Sequence, residues 1–278
     1  MKQPTLFSLS LASALSLAAC MSEETDLDTE LSDNATAQPD SSAGLGEVTQ
    51  QLGSWGVYPA SCSNGNFCYT ELGTLDERTC FLGGLSGDYR DGYAVVSRIN
   101  GRFRLDLRAA TGKQVGATAI CINGNTNLTA ASWRGDLGAK PINGTVTAKR
   151  RCFISGFLNT GSYNGLDNNS GDYVQVWKDF TGQWYLGGSF AGAADPTVTA
   201  TCVDTDAEVG VWGVPGAQTI NLSYDPGAPN GIACGITKIG GNFLNGVSDG
   251  ASIGFNFGTR YWNISVDAGK TAEVSCIR

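Results

Sequence analysis

The chain has 278 residues, of which 41% are hydrophobic and 16% charged, and its formal net charge is −8. It contains no histidine, which excludes Ser-His-Asp and Cys-His catalysis, histidine-ligated metals and any imidazole acid or base. Its nine cysteines and 38 glycines indicate an exported chain with disulfides and many tight turns.

The N-terminal segment has the composition of an export signal. Lys2 supplies a positive charge, and a run of apolar and small residues extends from Leu6 to Leu17. The run is too short to span a membrane. The box Leu17-Ala18-Ala19-Cys20 resembles the lipobox of bacterial lipoproteins. The resemblance implies that residues 1–19 are a signal peptide and that Cys20 is the lipid attachment residue.

Lipid attachment would hold the mature protein on a membrane. Two or three acyl chains, palmitate among them, exceed what stable anchoring needs, whereas a single chain binds only marginally. Met21 stands where an aspartate would retain an enteric lipoprotein in the inner membrane, so the resemblance favours the outer membrane or cell surface. The alternative is a plain secretory signal in which Cys20 has no special role.

Residues 20–48 are predicted to be a tether. Residues 21–48 hold eight acidic side chains and neither a basic nor an aromatic one, whereas residues 49–278 hold 17 Lys and Arg against 18 Asp and Glu. A segment this polar buries too little apolar surface to offset its ordering entropy, so we expect a disordered stalk that spans roughly 30 Å. The near-neutral body lacks the basic stripe expected of a nucleic-acid-binding protein.

Three stretches of the body share one pattern. Each begins with a tryptophan, reaches a cysteine, continues through a glycine and an aromatic segment, and ends at Cys-Ile or Cys-Val. The tryptophans recur after 78 and 79 residues, at Trp55, Trp133 and Trp212. The later aromatic positions are Phe103, Trp184 and Trp262. The pattern predicts three tandem β repeats of about 75 residues, at residues 49–123, 124–204 and 205–278.

The repeat predicts how the cysteines pair, although eight cysteines alone allow 105 pairings. Corresponding cysteines should pair alike, as Cys80–Cys121, Cys152–Cys202 and Cys234–Cys276. Cys62 and Cys68 remain, and they suit a short local loop. A metal site is the competing interpretation, but the sequence has no close Cys-x-x-Cys pair and no histidine. Each long bridge should add about 4 kcal/mol to a unit whose core is marginal for its size.

The body has the pattern of an all-β protein. Runs such as Tyr93–Ile99 and Tyr173–Trp177 are rich in β-branched and aromatic residues, and Asn-Gly and Asp-Gly pairs lie between such runs. The predicted fold is therefore three tandem disulfide-linked β units of short strands. These units either pack with pseudo-threefold symmetry or lie as beads in a row, and the lack of Pro-rich spacers between them favours packing.

A cluster of carboxylates is the candidate for catalysis. Asp204, Asp206 and Glu208 lie at a junction between units, where a pair of carboxylates would suit glycan cleavage. A solvated linker is the favoured interpretation, because the first unit has Asn123-Gly124-Asn125 at the corresponding site. We therefore expect no catalytic residue.

One oxygen-rich segment is the candidate for metal binding. Asp167, Asn169 and Asp172 resemble a calcium loop, but the segment lacks the bidentate glutamate of an EF-hand. A plain turn is the favoured interpretation, so we expect neither a metal nor any other cofactor.

Aromatic side chains are the candidates for ligand binding, because sugars stack on exposed rings. Tyr163, Tyr173 and Trp177 flank an insertion special to the second unit and form the predicted ligand-facing patch. The aromatic residues that recur in all three units are predicted to be core residues.

The leading hypothesis is a lipid-anchored cell-envelope protein with a non-catalytic binding or structural role. The alternative is a carbohydrate-binding, lectin-like surface module, and a glycan-active hydrolase is the third hypothesis. The expected partners are the membrane, through the lipid, and an extracellular polysaccharide or an envelope protein, but not nucleic acid. The repeat pattern also resembles cysteine-paired units of uncharacterised envelope lipoproteins, a resemblance that implies no activity.

Overall fold

A computed structural model of the protein describes residues 54–124, 129–135, 137–144, 147–159, 166, 171–190, 196–205, 208–227, 231–243 and 249–278. Residues Glu47–Arg278 form one compact unit. Within the described ranges the chain folds into strands and turns and contains no helix, which confirms the all-β prediction. Cys20 and the predicted tether lie outside these ranges.

The described residues form 18 strands. The first six are β1 (Trp55–Ser63), β2 (Phe67–Thr74), β3 (Arg78–Gly87), β4 (Tyr93–Ile99), β5 (Arg102–Arg108) and β6 (Gln114–Asn123). The next six are β7 (Thr129–Arg134), β8 (Lys140–Pro141), β9 (Arg150–Leu158), β10 (Tyr173–Lys178), β11 (Trp184–Ser189) and β12 (Thr197–Asp204). The last six are β13 (Glu208–Pro215), β14 (Gln218–Tyr224), β15 (Ala233–Gly241), β16 (Gly250–Asn256), β17 (Tyr261–Val266) and β18 (Lys270–Ile277).

These strands form three six-stranded sheets. Sheet I has the order β1-β6-β3-β16-β17-β14, sheet II the order β13-β18-β15-β10-β11-β8, and sheet III the order β7-β12-β9-β4-β5-β2. In chain order the strands fall into three sets of six: β1–β6, β7–β12 and β13–β18. Each sheet contains the first, sixth and third strands of one set, in that order, followed by the fourth, fifth and second strands of another set. Every sheet therefore draws on two sets. The unit boundaries and a pseudo-threefold symmetry of the body stay predictions.

The middle strands β3, β9 and β15 pack against one another in the core. Phe81 of β3 and Phe153 of β9 each follow a half-cystine directly, and their rings stack with centroids 4.3 Å apart. Gly235 holds the same position in β15, where a Cβ atom would lie 2.4 Å from the Phe153 ring. Two large rings thus fill the space of three matched positions, and a side chain at the third would overpack the core.

The three middle strands run in the same direction. At one end of these strands lie the stacked phenylalanines and Gly235. Further along the chain, the ring of Tyr89, just after β3, lies 5.9 Å from that of Phe157 in β9 and 6.4 Å from that of Phe243, just after β15, between centroids. Residues at the starts of the three strands contact one another, and so do residues near their ends, so the strands run in the same direction.

This direction places three hairpins at one end of the body. β4, β10 and β16 are antiparallel to β9, β15 and β3, so the hairpins β4–β5, β10–β11 and β16–β17 turn at one end. We call it the cysteine end, because it holds Cys80, Cys152 and Cys234. Trp55 at the start of β1 faces Ile122, next to a half-cystine, so the chain also enters the body at the cysteine end.

Four disulfides link the body, and they are the pairs that the sequence predicts. They join Cys62–Cys68, Cys80–Cys121, Cys152–Cys202 and Cys234–Cys276. In the three long bridges the two cysteines face each other directly in neighbouring strands, and their side chains are at most 1% exposed. The long bridges are therefore part of the core of their sheets.

The tryptophans that begin the sequence repeat do not share one structural position. Trp55 faces the residue after a half-cystine, Trp133 the residue four before one, and Trp212 the residue two before one. Trp55 opens its strand, whereas each of the others is the fifth residue of its strand. Trp133 and Trp212 differ because β7 begins opposite a half-cystine, whereas β13 begins one residue beyond one and shifts its register after Glu208. Equal spacing in the sequence therefore does not mean equal positions in the sheets. The predicted burial is found for Trp55 and Trp133, whereas Trp212 is half-buried and packs against the core.

The later aromatic set is consistent in the structure. Phe103, Trp184 and Trp262 are all buried. The Trp184 indole donates to the Arg150 carbonyl at 3.1 Å, and the Trp262 indole donates to the Ile232 carbonyl at 3.0 Å. Both carbonyls lie two residues before a half-cystine. These residues are core residues, as the sequence predicts.

Candidate ligand-binding faces

Two of the three predicted ligand-binding residues lie on the same side of one strand. Tyr173 and Trp177 are the first and fifth residues of β10, and their half-buried side chains alternate with the inward Val174 and Val176. The two valines are at most 1% exposed. Gln175 lies between the aromatic residues on the outer side. Sheet II therefore presents both predicted residues on one surface.

This surface carries a stacked pair of rings. Trp177 lies directly opposite Tyr185 of β11, and their ring planes are 20° apart with centroids separated by 5.6 Å. At Gly187, a Cβ atom would lie only 3.1 Å from the Trp177 ring, so the glycine leaves room for the indole against the sheet. We call this surface the sheet II face, formed by Tyr173, Gln175, Trp177, Tyr185 and Lys238.

A lysine stands beside these rings. Lys238 of β15 lies opposite Gln175, and its Nζ atom is 4.2 Å from the centroid of the Tyr173 ring. The matching position, four residues after a half-cystine, is Gly84 in sheet I and Gly156 in sheet III. In the described part of the chain no carboxylate forms an ion pair with Lys238. Lys238 therefore distinguishes this position of sheet II from its counterparts in the other two sheets.

The chemistry of the sheet II face suits a sugar. The C–H side of a pyranose packs on an aromatic ring, and its hydroxyls need donors and acceptors around that ring. Gln175 offers both a donor and an acceptor, and Lys238 offers donors. Glu273, which faces Lys238 from β18, already accepts the Thr237 hydroxyl at 3.2 Å. All these groups stand on paired strands, so their positions are fixed before a ligand arrives.

Sheet III carries a second aromatic surface, which the sequence analysis missed. Phe67 and Tyr69 of the edge strand β2 are 51% and 56% exposed. The Arg104 guanidinium lies 5.5 Å from the Phe67 ring centroid and 4.8 Å from that of Tyr69. The signal was the alternation of charged residues along Arg102–Arg108, together with two aromatic residues two positions apart. We call this surface the sheet III face.

The charges of the sheet III face are paired with each other. Arg104 Nε lies 2.5 Å from Asp106 Oδ1, and the Ser97 hydroxyl donates to the other oxygen of this buried carboxylate. Burial and the Asp106 carboxylate raise the pKa of Tyr93, against the opposing effect of Arg108 and Arg104. On this face the cation that contacts the rings is also paired with a carboxylate, whereas Lys238 on the sheet II face contacts a ring and has no ion pair with a described carboxylate.

The corresponding surface of sheet I, the sheet I face, is a shallow groove of about 470 Å³. Small and hydroxylic residues line it, among them Ser61, Ser86, Thr118 and Ser252. Asp267 supplies the carboxylate in the lining, and that carboxylate accepts a backbone N–H at 2.6 Å. The groove has neither an aromatic ring nor a cation in its lining.

Arginines hold the two described carboxylates of the candidate catalytic cluster. Asp204 accepts from Arg150 Nε at 3.2 Å, and Glu208 lies 3.4 Å from Arg151 Nε. Asp206 lies outside the described residues. Both ion pairs lie at strand ends, where β9 begins, β12 ends and β13 begins.

The calcium-loop candidate is described at one residue only. Asp172 is 2% exposed, whereas Asp167 and Asn169 lie outside the described residues, as does Tyr163. Where the chain is described, no group of three or more His, Cys, Asp or Glu residues is placed to hold a metal ion.

No helix in the described ranges is long and apolar enough to span a membrane. The chain matches no protein family model, and no curated protein is significantly similar to it.

Proposed function

We propose that this protein is a lipid-anchored cell-envelope protein that binds carbohydrate through the sheet II face. The observation that carries the proposal is the stacked pair of Trp177 and Tyr185, fixed on neighbouring strands with Gln175 and Lys238 beside it. Rings held in this way lose little conformational freedom on binding, so their contact with a sugar adds directly to affinity.

The proposed location follows from two features. The box that ends at Cys20 resembles a lipobox, which supports lipid attachment at the outer membrane or cell surface. The four disulfides support an oxidising compartment, because such bonds persist outside the cytoplasm. Both features agree with a surface protein that meets extracellular polysaccharide.

A glycan array followed by titration calorimetry tests the proposal. The full chain should bind a defined group of glycans, and Trp177→Ala should weaken the best of them about 30-fold, because truncating a central aromatic contact costs about 2 kcal/mol. Phe67→Ala is the matched control, since it removes an exposed aromatic ring from a different sheet and should leave affinity unchanged. Equal affinities of wild type and Trp177→Ala would contradict the proposal.

A second candidate is the binding of an envelope protein, favoured by the exposed rings of Phe67 and Tyr69 on the sheet III face. Cross-linking on intact cells tests it, with a photoreactive residue at position 69 and the same residue at position 252 on the sheet I face as control. Capture of one partner at position 69 alone would support this role. Equal capture at both positions would contradict it.

A further inference from the structure

Two hairpin turns at the cysteine end expose a phenylalanine each. Phe180, in the turn between β10 and β11, is fully exposed, and Phe257, in the turn between β16 and β17, is 67% exposed. These turns occupy corresponding places in sheets II and I. The Phe257 ring lies 5.1 Å from the Phe255 ring and 6.2 Å from the Trp55 ring, between centroids, so one side of it is covered, whereas the Phe180 ring is open to water. Exposed apolar surface of this kind is costly in water.

Both turns are built in the same way. Asp179 and Asn256 stand directly before the two phenylalanines. The Asp179 carboxylate accepts the backbone N–H of Thr181 at 2.8 Å, and the Asn256 side-chain oxygen accepts that of Gly258 at 2.9 Å. Hydrogen bonds of this kind fix the turn, and in both turns the phenylalanine that follows the bonded side chain is exposed.

Hydrogen bonds also occupy the acidic side chain of the first turn. Besides the backbone N–H of Thr181, the Asp179 carboxylate accepts the Thr181 hydroxyl at 2.6 Å and the backbone N–H of Gln183 at 3.0 Å. These bonds, the Thr181 hydroxyl first, lower the pKa of Asp179. The exposed cations Lys178 and Arg260 stand two residues before Phe180 and three after Phe257. Each tip thus combines an apolar ring with a nearby positive charge.

The chain enters the body at the same end. The backbone N–H of Asn123 donates to the Ser54 carbonyl at 2.8 Å, which ties the first described residue to the strand end beside a half-cystine. The preceding segment, which bears the candidate lipid attachment residue Cys20, therefore joins the body on the side where the two rings project. A ring with a neighbouring cation is the combination that suits the boundary between lipid headgroups and acyl chains.

We propose that the cysteine end is a membrane-docking surface, and that Phe180 and Phe257 insert into the headgroup region of a lipid bilayer. The anchor brings this end to a high effective concentration at the bilayer, so a weak contact by two rings suffices to orient the body. When the cysteine end contacts the bilayer, the outer faces of the three sheets point away from the lipid and stay open to ligands. The inference rests on the lipid attachment included in the proposed function, but not on carbohydrate binding.

Quenching by brominated phospholipid tests this proposal on the full, processed chain in phosphatidylcholine and phosphatidylglycerol vesicles. The probe is Phe180→Trp, and the matched control is Phe67→Trp. Phe67 is also exposed, but it lies near the other end of the body, where it faces Arg108 across β2 and β5, and Arg108 in turn faces Tyr93 at the start of β4. Wild-type emission from the six native tryptophans is subtracted from both.

The added emission of Phe180→Trp should be quenched, and that of Phe67→Trp should not. Equal quenching in the two variants, or none at position 180, would overturn the proposal and leave the rings as a contact for another protein. A disulfide map of each variant confirms that it is folded. Replacing Phe180 with serine should also lower quenching of a tryptophan placed at position 257, because losing one ring reduces the lipid partition about tenfold.

Discussion

Sheets I and II are built in the same strand order, but their outer faces differ at every matched position. Along β16 the outward residues are Gly250, Ser252 and Gly254, whereas along β10 they are Tyr173, Gln175 and Trp177. The central strands differ in the same sense, with Gly84 in sheet I and Lys238 in sheet II. One backbone arrangement thus carries either a bare groove or an aromatic surface with a cation. The fold supplies rigid positions, and the side chains on one face of each sheet supply the chemistry.

Removing a long disulfide should have the largest effect, because it weakens the core that sheets I and II share. Replacing Cys234 and Cys276 with alanine opens a loop with a sequence separation of 42 and should cost about 4 kcal/mol in the free energy of unfolding. The same change at Cys62 and Cys68, separated by 6 residues, should cost about 2 kcal/mol. Urea unfolding measures both. Equal losses would contradict the expected dependence on loop length.

Converting a position of the sheet II face to its sheet I counterpart should come next. Trp177→Gly gives sheet II the residue that sheet I has at Gly254, and glycan affinity should fall about 30-fold. The control is Gly254→Ala, which adds a methyl group at the matching position of the sheet I face. The nearest atom to the new Cβ would be 3.3 Å away. Calorimetry should show no change for the control. A comparable loss in both variants would mean that binding is not confined to sheet II.

The support beneath the indole is a finer test of the same difference. Gly187→Ala places a Cβ atom 3.1 Å from the Trp177 ring and 3.3 Å from Ala139, so the ring must shift. We expect glycan affinity to fall about tenfold, or about 1.4 kcal/mol, because the stacked geometry is lost. Gly213→Ala is the matched control in sheet II, since no atom lies within 4 Å of its new Cβ. Unchanged affinity in Gly187→Ala would show that ring placement is not critical.

Neutralising the lysine should have the smallest effect and the most selective one. Lys238→Gln removes the cation that contacts Tyr173, at a cost of about 1 kcal/mol or about fivefold for an anionic glycan. A neutral glycan should bind both proteins alike, and added salt should reduce the difference for the anionic one. The comparison of titrations with the two ligands is the measurement. The same loss for both would assign Lys238 a structural role.

The disulfide pairs could be predicted because their pattern repeats along the chain, and the placement of Tyr173 and Trp177 on one surface could be predicted because its signal is local. Tyr173 and Trp177 lie four residues apart in a run of strand period, so any extended conformation places them on one side. Cys80 and Cys121 follow from correspondence between repeats. The repeated tryptophans differ in position, since equal spacing along the chain does not fix where a strand begins.

The exchange of strands between sheets could not be predicted. β3 pairs with β16, so that Ser86 faces Gly250, and no local pattern in either strand specifies a partner so distant along the chain. The sheet III face was missed because Phe67 and Tyr69 belong to a strand that reads as an ordinary alternating run. Which of its two sides faces water depends on this long-range pairing.

The most direct test of carbohydrate binding by the sheet II face is a two-dimensional nitrogen–proton NMR titration of the labelled protein with the glycan selected on the array. The chain has six tryptophans and therefore six indole N–H signals. The account predicts that the Trp177 signal shifts with glycan concentration, while those of the buried Trp184 and Trp262 stay in place. An unmoved Trp177 signal, with shifts instead at the backbone amides of Ser86 and Ser252, would place the ligand in the sheet I groove and contradict the account.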